Sequence, residues 1–289
     1  MRYKAAVIQM NSSHQLNENL RSAECLIEQA KQKGARLAVL PENFAVFNTR
    51  QMYPTGVVEL SDQPVIRDFL SQQAKKHQLF LLAGTLPVAT LPMGESSNVS
   101  GSVQKVRAAS FLYDDQGSEI ARYDKLHLFD AQIADGHGSY RESDTFEPGC
   151  ETVVAETPLG RIGMSVCYDL RFPELYRLMF KAGAQVITVP SAFTATTGEA
   201  HWEPLLRARA IENLSYVLAS NQGGAHGPNR KTWGHSMIID PWGRILAQAD
   251  DKPGVIIAEI DLDLLAKYRA DLPVSEHQRL FVDETLTRS

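Results

Sequence analysis

Short apolar runs alternate with amphipathic stretches along the chain. Tyr3 to Met10 reads as a strand, and Leu20, Ala23, Leu26, Ile27 and Ala30 then recur at helical spacing up to Gly34. Leu37 to Leu40 has the unbroken apolar character of a buried strand and ends at Pro41-Glu42. Val65, Phe69 and Leu70 predict a second helix, Leu79 to Val88 a third strand, and 89–103, with Pro, Gly and Ser, a loop. Val106 to Tyr113 and Glu119 to Asp124, either side of Asp114-Asp115-Gln116-Gly117, predict a hairpin.

A long segment without periodicity, about His127 to Gly149, follows; loops of that length inside a compact domain are uncommon and often functional. Thr152 to Glu156 and Arg161 to Val166, across Pro158-Leu159-Gly160, predict a second hairpin that delivers Cys167 at its end. Pro173 to Gly183 predicts a helix, Val186 to Val189 a strand and Trp202 to Leu214 a helix. Tyr216 to Asn221, Gly234 to Ile239, Arg244 to Gln248 and Val255 to Ile260 close the series as strands. No composition shift or linker divides it, so residues 1–289 are expected to form one α/β domain with helices packed on sheets.

Composition narrows the functional classes. A net charge of -5 and the lack of a basic run argue against nucleic-acid binding. No apolar stretch approaches the ~20 residues that span a bilayer, and the run from Ala5 to Met10 is too short for a secretory leader. Cys25, Cys150 and Cys167 cannot all pair with one another and are too sparse for a disulfide scaffold. A cytoplasmic location is therefore expected.

Cys167 ends the apolar strand in Gly163-Met-Ser-Val-Cys-Tyr-Asp-Leu-Arg-Phe-Pro-Glu, with a helix predicted a few residues later. At a strand-to-helix turn, backbone N–H groups favour a thiolate and can hold a developing oxyanion. A small core hydrophobe is the commoner role of a cysteine in an apolar run. Cys25 falls in the first helix, and Cys150 follows a Pro-Gly turn with no evident partner. A papain-like mechanism wants a histidine base, yet spacing singles out none of the eight histidines. His127, His201 and His235 read equally as structural, solvent-exposed or site residues. Glu42 at a strand end and Lys125 in Arg122-Tyr-Asp-Lys-Leu-His-Leu-Phe offer useful charges, although a solvated cap and a surface charge are the ordinary readings of each.

Together, Leu-Pro-Glu42-Asn, Tyr-Asp-Lys125-Leu-His-Leu-Phe-Asp and Cys167-Tyr-Asp-Leu-Arg-Phe-Pro-Glu resemble the three signature blocks of the nitrilase superfamily, in that family's order and at comparable spacing. The resemblance continues through Pro190-Ser-Ala-Phe, Thr197-Gly-Glu-Ala-His-Trp-Glu, Arg207-Ala-Arg-Ala-Ile-Glu-Asn and Gly234-His-Ser-Met-Ile-Ile-Asp-Pro-Trp-Gly, and so covers nearly the whole chain. It implies a four-layer αββα sandwich paired into homodimers or larger homo-oligomers, no metal or organic cofactor, and a small-molecule amide as substrate. By the same resemblance Cys167 is the nucleophile and Glu42 its base. Lys125 meets the tetrahedral oxyanion, with help from the Tyr168 N–H. Glu142, in Tyr140-Arg-Glu-Ser, is the second glutamate that orients Lys125, with Glu147 the alternative for that place.

Within the superfamily these blocks look like the branch that hydrolyses amides of α-keto acids. Phe172-Pro173-Glu174 and Pro190-Ser191-Ala192-Phe193 look more like an amidase of deaminated glutathione than an omega-amidase of 2-oxoglutaramate. Other readings are a nitrile hydrolase, an N-carbamoyl amidohydrolase, and an idle relative that only binds or scaffolds; the intact Glu42, Lys125 and Cys167 speak against the last. An anionic substrate wants a cation at its carboxylate. Arg171, Arg207 and Arg209 are candidates, although an ion pair within the fold is the ordinary role of each. Phe193 and Thr194, just past the Pro-Ser-Ala strand end, are expected to line the pocket with Tyr168.

Overall fold

The structure, a computed structural model, describes residues 1–90, 105–136 and 138–280. Its first sheet has seven strands, in the spatial order Gly254–Asp261, Arg2–Gln9, Ala35–Val39, Phe80–Leu82, Val106–Tyr113 and Leu86–Ala89, with Glu119–Asp124 also paired to Val106–Tyr113. The second has six, in the order Ile245–Gln248, Met237–Ile239, Tyr216–Ala219, Val186–Thr188, Gly160–Met164 and Val153–Thr157. Arg2–Gln9, Ala35–Val39 and Phe80–Leu82 are parallel in one sheet, and Gly160–Met164, Val186–Thr188 and Tyr216–Ala219 in the other.

Strand alternation assigns the layers. Tyr3, Ala5, Val7, Leu37, Val39 and Leu82 face inward and share one core with Ile162, Met164, Val186 and Leu218 of the opposite sheet. The alternate residues Ala6, Ile8, Ala38, Leu40 and Leu81 face outward into a second core. There they meet the buried stripes of α1 (Leu16–Gln32) and, beyond the edge helix α2 (Thr49–Leu60), of α3 (Val65–His77). Outside the second sheet lie α4 (Pro173–Lys181) and α5 (Ala195–Asn213), which bury Leu175, Tyr176, Met179, Trp202, Leu206 and Ala210. Both sheets are thus covered on both faces, which is why their parallel strands read as unbroken apolar runs. The arrangement is the αββα sandwich.

Several elements differ from the sequence reading. Leu79 to Val88 is not one strand but two, Phe80–Leu82 and Leu86–Ala89, broken at Gly84. Gly84 has φ +61°, and a Cβ there would lie 2.0 Å from the Pro41 carbonyl oxygen. The break lets the chain pass directly against the residue preceding Glu42. The segment from His127 to Gly149 is not wholly irregular: Asp130–Gln132 pairs with Ser139–Arg141, and a single 3₁₀ turn, Glu142–Asp144, follows. α5 starts at Ala195, well before Trp202, because the Thr194 hydroxyl caps it by accepting the Thr197 N–H at 3.2 Å. α6 (Leu262–Asp271), capped by Asp261, had no clear apolar stripe to announce it. Of the loop expected over 89–103, residues 91–103 lie outside the described residues.

α2 also went unanticipated, since its apolar positions follow no stripe and Pro54 lies inside it. It docks by close approach: a Cβ on Gly56 would meet Val106 Cγ1 at 2.6 Å and the Ala89 backbone nitrogen at 2.9 Å. Two effects oppose each other in Gly56→Ala. Helix propensity favours alanine by about 1 kcal/mol, whereas overpacking against backbone costs about 1–3 kcal/mol. The clash with a main-chain atom should win, so Gly56→Ala is expected to lower the urea midpoint at unchanged slope. A higher midpoint would mean that α2 can slide away from the strand.

Candidate active site

Glu42, Lys125, Glu142 and Cys167 come from four separate stretches and line one cavity of about 400 Å³. Each lies just past a strand: Glu42 after Ala35–Val39, Lys125 after Glu119–Asp124, Glu142 after Ser139–Arg141 and Cys167 after Gly160–Met164. Lys125 Nζ is 2.9 Å from Glu42 Oε1 and 2.8 Å from each oxygen of Glu142. Burial alone would lower the Lys125 pKa, but Glu142 and then Glu42 outweigh it and hold the ammonium well above the ordinary lysine value. The Glu142 carboxyl is pushed up, by burial first and by Glu42 too, with Lys125 opposing. Glu142 also accepts the Phe129 N–H at 2.6 Å, which fastens the stretch after Lys125 to its own ion pair. Glu147, the alternative for this place, instead faces Arg107 at 4.0 Å with its side chain 40% exposed.

Cys167 is buried and has φ +48°, a left-handed backbone that costs a non-glycine residue about 1 kcal/mol or more. Its N–H donates to the Pro190 carbonyl at 2.8 Å. Burial first, and then Glu42, push the thiol well above its usual pKa; Lys125 and a hydrogen bond from the Ala192 N–H pull the other way and lose. This corrects the expectation that the turn would favour a thiolate. The residues after Cys167 form a 3₁₀ turn, Cys167–Arg171, and α4 begins only at Pro173, so the helix dipole is displaced from the sulfur. The thiol is protonated at rest.

Asp169, which the sequence did not single out, braces this geometry. It is fully buried. Its Oδ2 accepts the Val166 N–H at 2.8 Å and the Tyr123 hydroxyl at 2.7 Å. Its Oδ1 accepts the His127 N–H at 3.0 Å and lies 2.7 Å from His127 Nδ1. One carboxylate thereby ties the turn carrying Lys125 to the turn carrying Cys167. Both partners stood inside quoted sequence blocks, but no spacing shows that residues 42 apart in the chain will meet. His127, stacked 3.7 Å from Phe172, is thus occupied with Asp169. His201 Nδ1 lies 3.2 Å from Arg171 Nη1, and the His235 ring packs 4.4 Å from Trp233.

A narrow second lobe opens from the sulfur, lined by Tyr168, Arg171, Phe193, Thr194 and Thr197. It shares only Phe129, Cys167 and Ala192 with the wide cavity. Tyr168, Phe193 and Thr194 are therefore beside Cys167, with the Thr194 hydroxyl already used in the α5 cap. The three arginines separate clearly. Arg209 is buried on the Leu170 carbonyl at 2.7 and 3.1 Å and pairs with Glu212 at 2.8 Å. Arg207 is held by the Gly243 carbonyl and Glu203, at 2.9 and 3.3 Å. Arg171 packs over Tyr168 and Phe193 at 5.8 and 5.6 Å and pairs with no carboxylate among the described residues. Also among the described residues, no group of His, Cys, Asp and Glu is arranged to hold a metal ion, and no helix is long and apolar enough to cross a membrane.

Comparison with known proteins places the chain in a family. The carbon-nitrogen hydrolase family profile matches residues 4–270. The chain is similar to the deaminated glutathione amidase of Yersinia enterocolitica, 41% identical over 283 residues, covering 98% of this chain and 95% of that one. Among solved structures it resembles the C. elegans NitFhit protein, with a TM-score of 0.82 and 38% identity over 96% of this chain; it spans 65% of that longer chain. It also resembles Saccharomyces cerevisiae Nit3, a member of branch 10 of the nitrilase superfamily, with a TM-score of 0.83, 31% identity, and 96% and 97% of the two chains covered. The αββα layering, with a family match running from residue 4 to residue 270, shows that the chain belongs to the carbon-nitrogen hydrolases, the nitrilase superfamily.

Proposed function

We propose that this chain hydrolyses the amide bond of deaminated glutathione, with water, to 2-oxoglutarate and cysteinylglycine through a thioester on Cys167, and that 2-oxoglutaramate is a slower substrate. The observation that carries the chemistry is a buried ammonium between two carboxylates beside a protonated thiol. Full-length similarity to an amidase of that name supports the choice of substrate. Residues 1–289 act as one catalytic domain, in the cytoplasm, as a homodimer or larger homo-oligomer and without a cofactor.

In the first half-reaction Glu42 takes the thiol proton as the sulfur attacks the amide carbon. The oxyanion forms against the Tyr168 N–H and the Lys125 ammonium, which turns one N–H toward it from a neighbouring carboxylate. The C–N bond then breaks, and the expelled nitrogen takes its proton from Glu42. Water attacks the thioester with Glu42 again as base, the C–S bond breaks, and the thiol regains its proton. Glu142 positions Lys125. Arg171, which pairs with no carboxylate among the described residues, receives the keto-acid carboxylate, with Phe193 and Thr194 as walls.

Cys167→Ala and Cys167→Ser are each expected to leave the melting temperature near that of the parent and turnover at a few per cent or less, about a hundredfold loss. Clear amidase activity in either variant removes Cys167 from the role. The thiol's raised pKa supplies a second test. Because Glu42 is among the groups that raise it, Glu42→Gln should move the alkylation of Cys167 by iodoacetamide to lower pH while turnover falls by about 10² to 10⁴. In the parent at neutral pH, exposed Cys25 and Cys150 should label ahead of Cys167. No shift in Glu42→Gln would show that its carboxylate does not face the sulfur.

Substrate choice is decided by kcat/KM on a panel. Deaminated glutathione should lead, 2-oxoglutaramate follow, and nitriles and N-carbamoyl amines trail. A tenfold preference for 2-oxoglutaramate, about 1.4 kcal/mol in barrier, would make the enzyme an omega-amidase instead.

A further inference from the structure

The two lobes have different chemistry, and the thiol stands where they join. Glu42 and Lys125 line the wide lobe and not the narrow one. A nitrogen leaving the tetrahedral intermediate must reach Glu42 for its proton, so the leaving group occupies the wide lobe; the narrow lobe, about 20 Å³ as it stands, widens to take the acyl chain. Each lobe carries a cation that pairs with no carboxylate among the described residues. In the narrow lobe it is Arg171; in the wide lobe it is Arg230, at the end of the turn joining Gly223–Ala225 to Lys231–Trp233. The other cations of the wide lobe are engaged: Lys125 by two glutamates, Arg141 by Asp144 at 3.2 Å.

Arg230 is half-buried, its guanidinium 4.3 Å from the Phe47 ring centroid and 5.7 Å from that of Tyr140. Its Nε is buried and makes no hydrogen bond, and no carboxylate pairs with it among the described residues. The two rings hold the guanidinium in place, and among the described residues no carboxylate occupies it, the form in which arginine takes a carboxylate bidentately. The turn that presents it is fastened on two sides. His226 donates from Nδ1 to the Ser12 carbonyl at 2.8 Å and meets the Thr232 hydroxyl at 2.7 Å through Nε2. Burial lowers the His226 pKa to about 4, so this anchor stays neutral at physiological pH. Gln222, just before Gly223–Ala225, donates to the Glu42 carbonyl at 3.0 Å. Arg230 and the base are therefore presented by connected backbone.

Given the thioester amidase proposed above, we infer that Arg230 receives the free carboxylate of the expelled peptide, so that the wide lobe selects a leaving group ending in an anion over ammonia or a neutral amine. Contacts to that remote carboxylate raise the rate only as far as they are stronger in the transition state than in the ground state, but kcat/KM reports them either way.

The test compares α-ketoglutaryl-cysteinylglycine with the same compound bearing a C-terminal amide, in the parent enzyme and in Arg230→Gln. Blocking the carboxylate should lower kcat/KM of the parent by about tenfold or more, the scale of a hydrogen-bonded charge pair. In Arg230→Gln the same blocking should cost about twofold or less. Arg230→Met, which keeps an apolar stem against Phe47, gives the same comparison if the glutamine variant loses its melting transition. An equal penalty in parent and variants, or no penalty in the parent, overturns the role of Arg230 and leaves the amidase reading standing. Failure of the parent to hydrolyse the free acid removes both.

Discussion

One ammonium and two carboxylates, buried together at the end of the sandwich, are stable only as a set. Taking a single ion out of water costs several kcal/mol, and removing one member of a buried pair strands the other. Glu42, Lys125 and Glu142 therefore constrain one another's backbones, and the topology meets that constraint. Ala35–Val39 runs parallel to Phe80–Leu82, which is antiparallel to Val106–Tyr113, which is antiparallel to Glu119–Asp124. Two reversals restore the direction, so the ends that carry Glu42 and Lys125 point to the same edge. In the other sheet, parallel strands deliver Cys167, Pro190-Ser191-Ala192 and Asn221-Gln222 from their own carboxyl ends. The site lies where strands of both sheets terminate, as ligand sites in parallel α/β sheets generally do.

Strand direction brings the groups to one edge, but their spacing depends on Asp169. It satisfies two backbone N–H groups and a tyrosine hydroxyl from a position that water does not reach. Such a carboxylate is rigid because every alternative placement leaves a buried donor unpaired. The rigidity has a local consequence at Cys167, whose left-handed backbone persists because the Val166 and Cys167 N–H groups are both engaged, by Asp169 and Pro190. Strain at Cys167 is carried by hydrogen bonds on either side of it.

What could be read from the sequence follows from what is local. The buried strands were legible because coverage on both faces leaves an unbroken apolar run, as in Leu37 to Leu40. α1 was legible because its burial is one-sided. α2 was not, since it docks through the missing side chain of Gly56 and not through a stripe. Gly84 splits a run that looked continuous, for a reason that lies in Pro41, more than forty positions upstream. The same division holds in the site. Glu42, Lys125 and Cys167 mark strand ends, and the blocks around them carry a family pattern. Asp169 and His127 act through a contact with no local signature. Arg171 could not be told from Arg207 and Arg209 by residue type, because what separates them is whether a carboxylate or carbonyl already occupies the guanidinium. The protonation of the thiol was misjudged for the same reason: local turn geometry favours the anion, but burial and a distant glutamate outweigh it.

That protonated thiol changes how charge is handled in the proposed reaction. A resting thiolate would place a third anion around one buried ammonium and require the protein to hold it without a substrate. With the thiol neutral, no third anion faces the ammonium before the substrate arrives. Moving the proton to Glu42 converts carboxylate into thiolate without creating charge. Attack then moves the same charge onto the carbonyl oxygen, still within reach of Lys125. At each step one anion is relocated by a few ångström inside a site already arranged for it, so little new desolvation is required as the barrier is climbed. The arrangement also accounts for cations at the periphery. A substrate that carries carboxylates meets two glutamates at the centre, and in the proposed reaction Arg171 and Arg230 offset that repulsion from the two lobes.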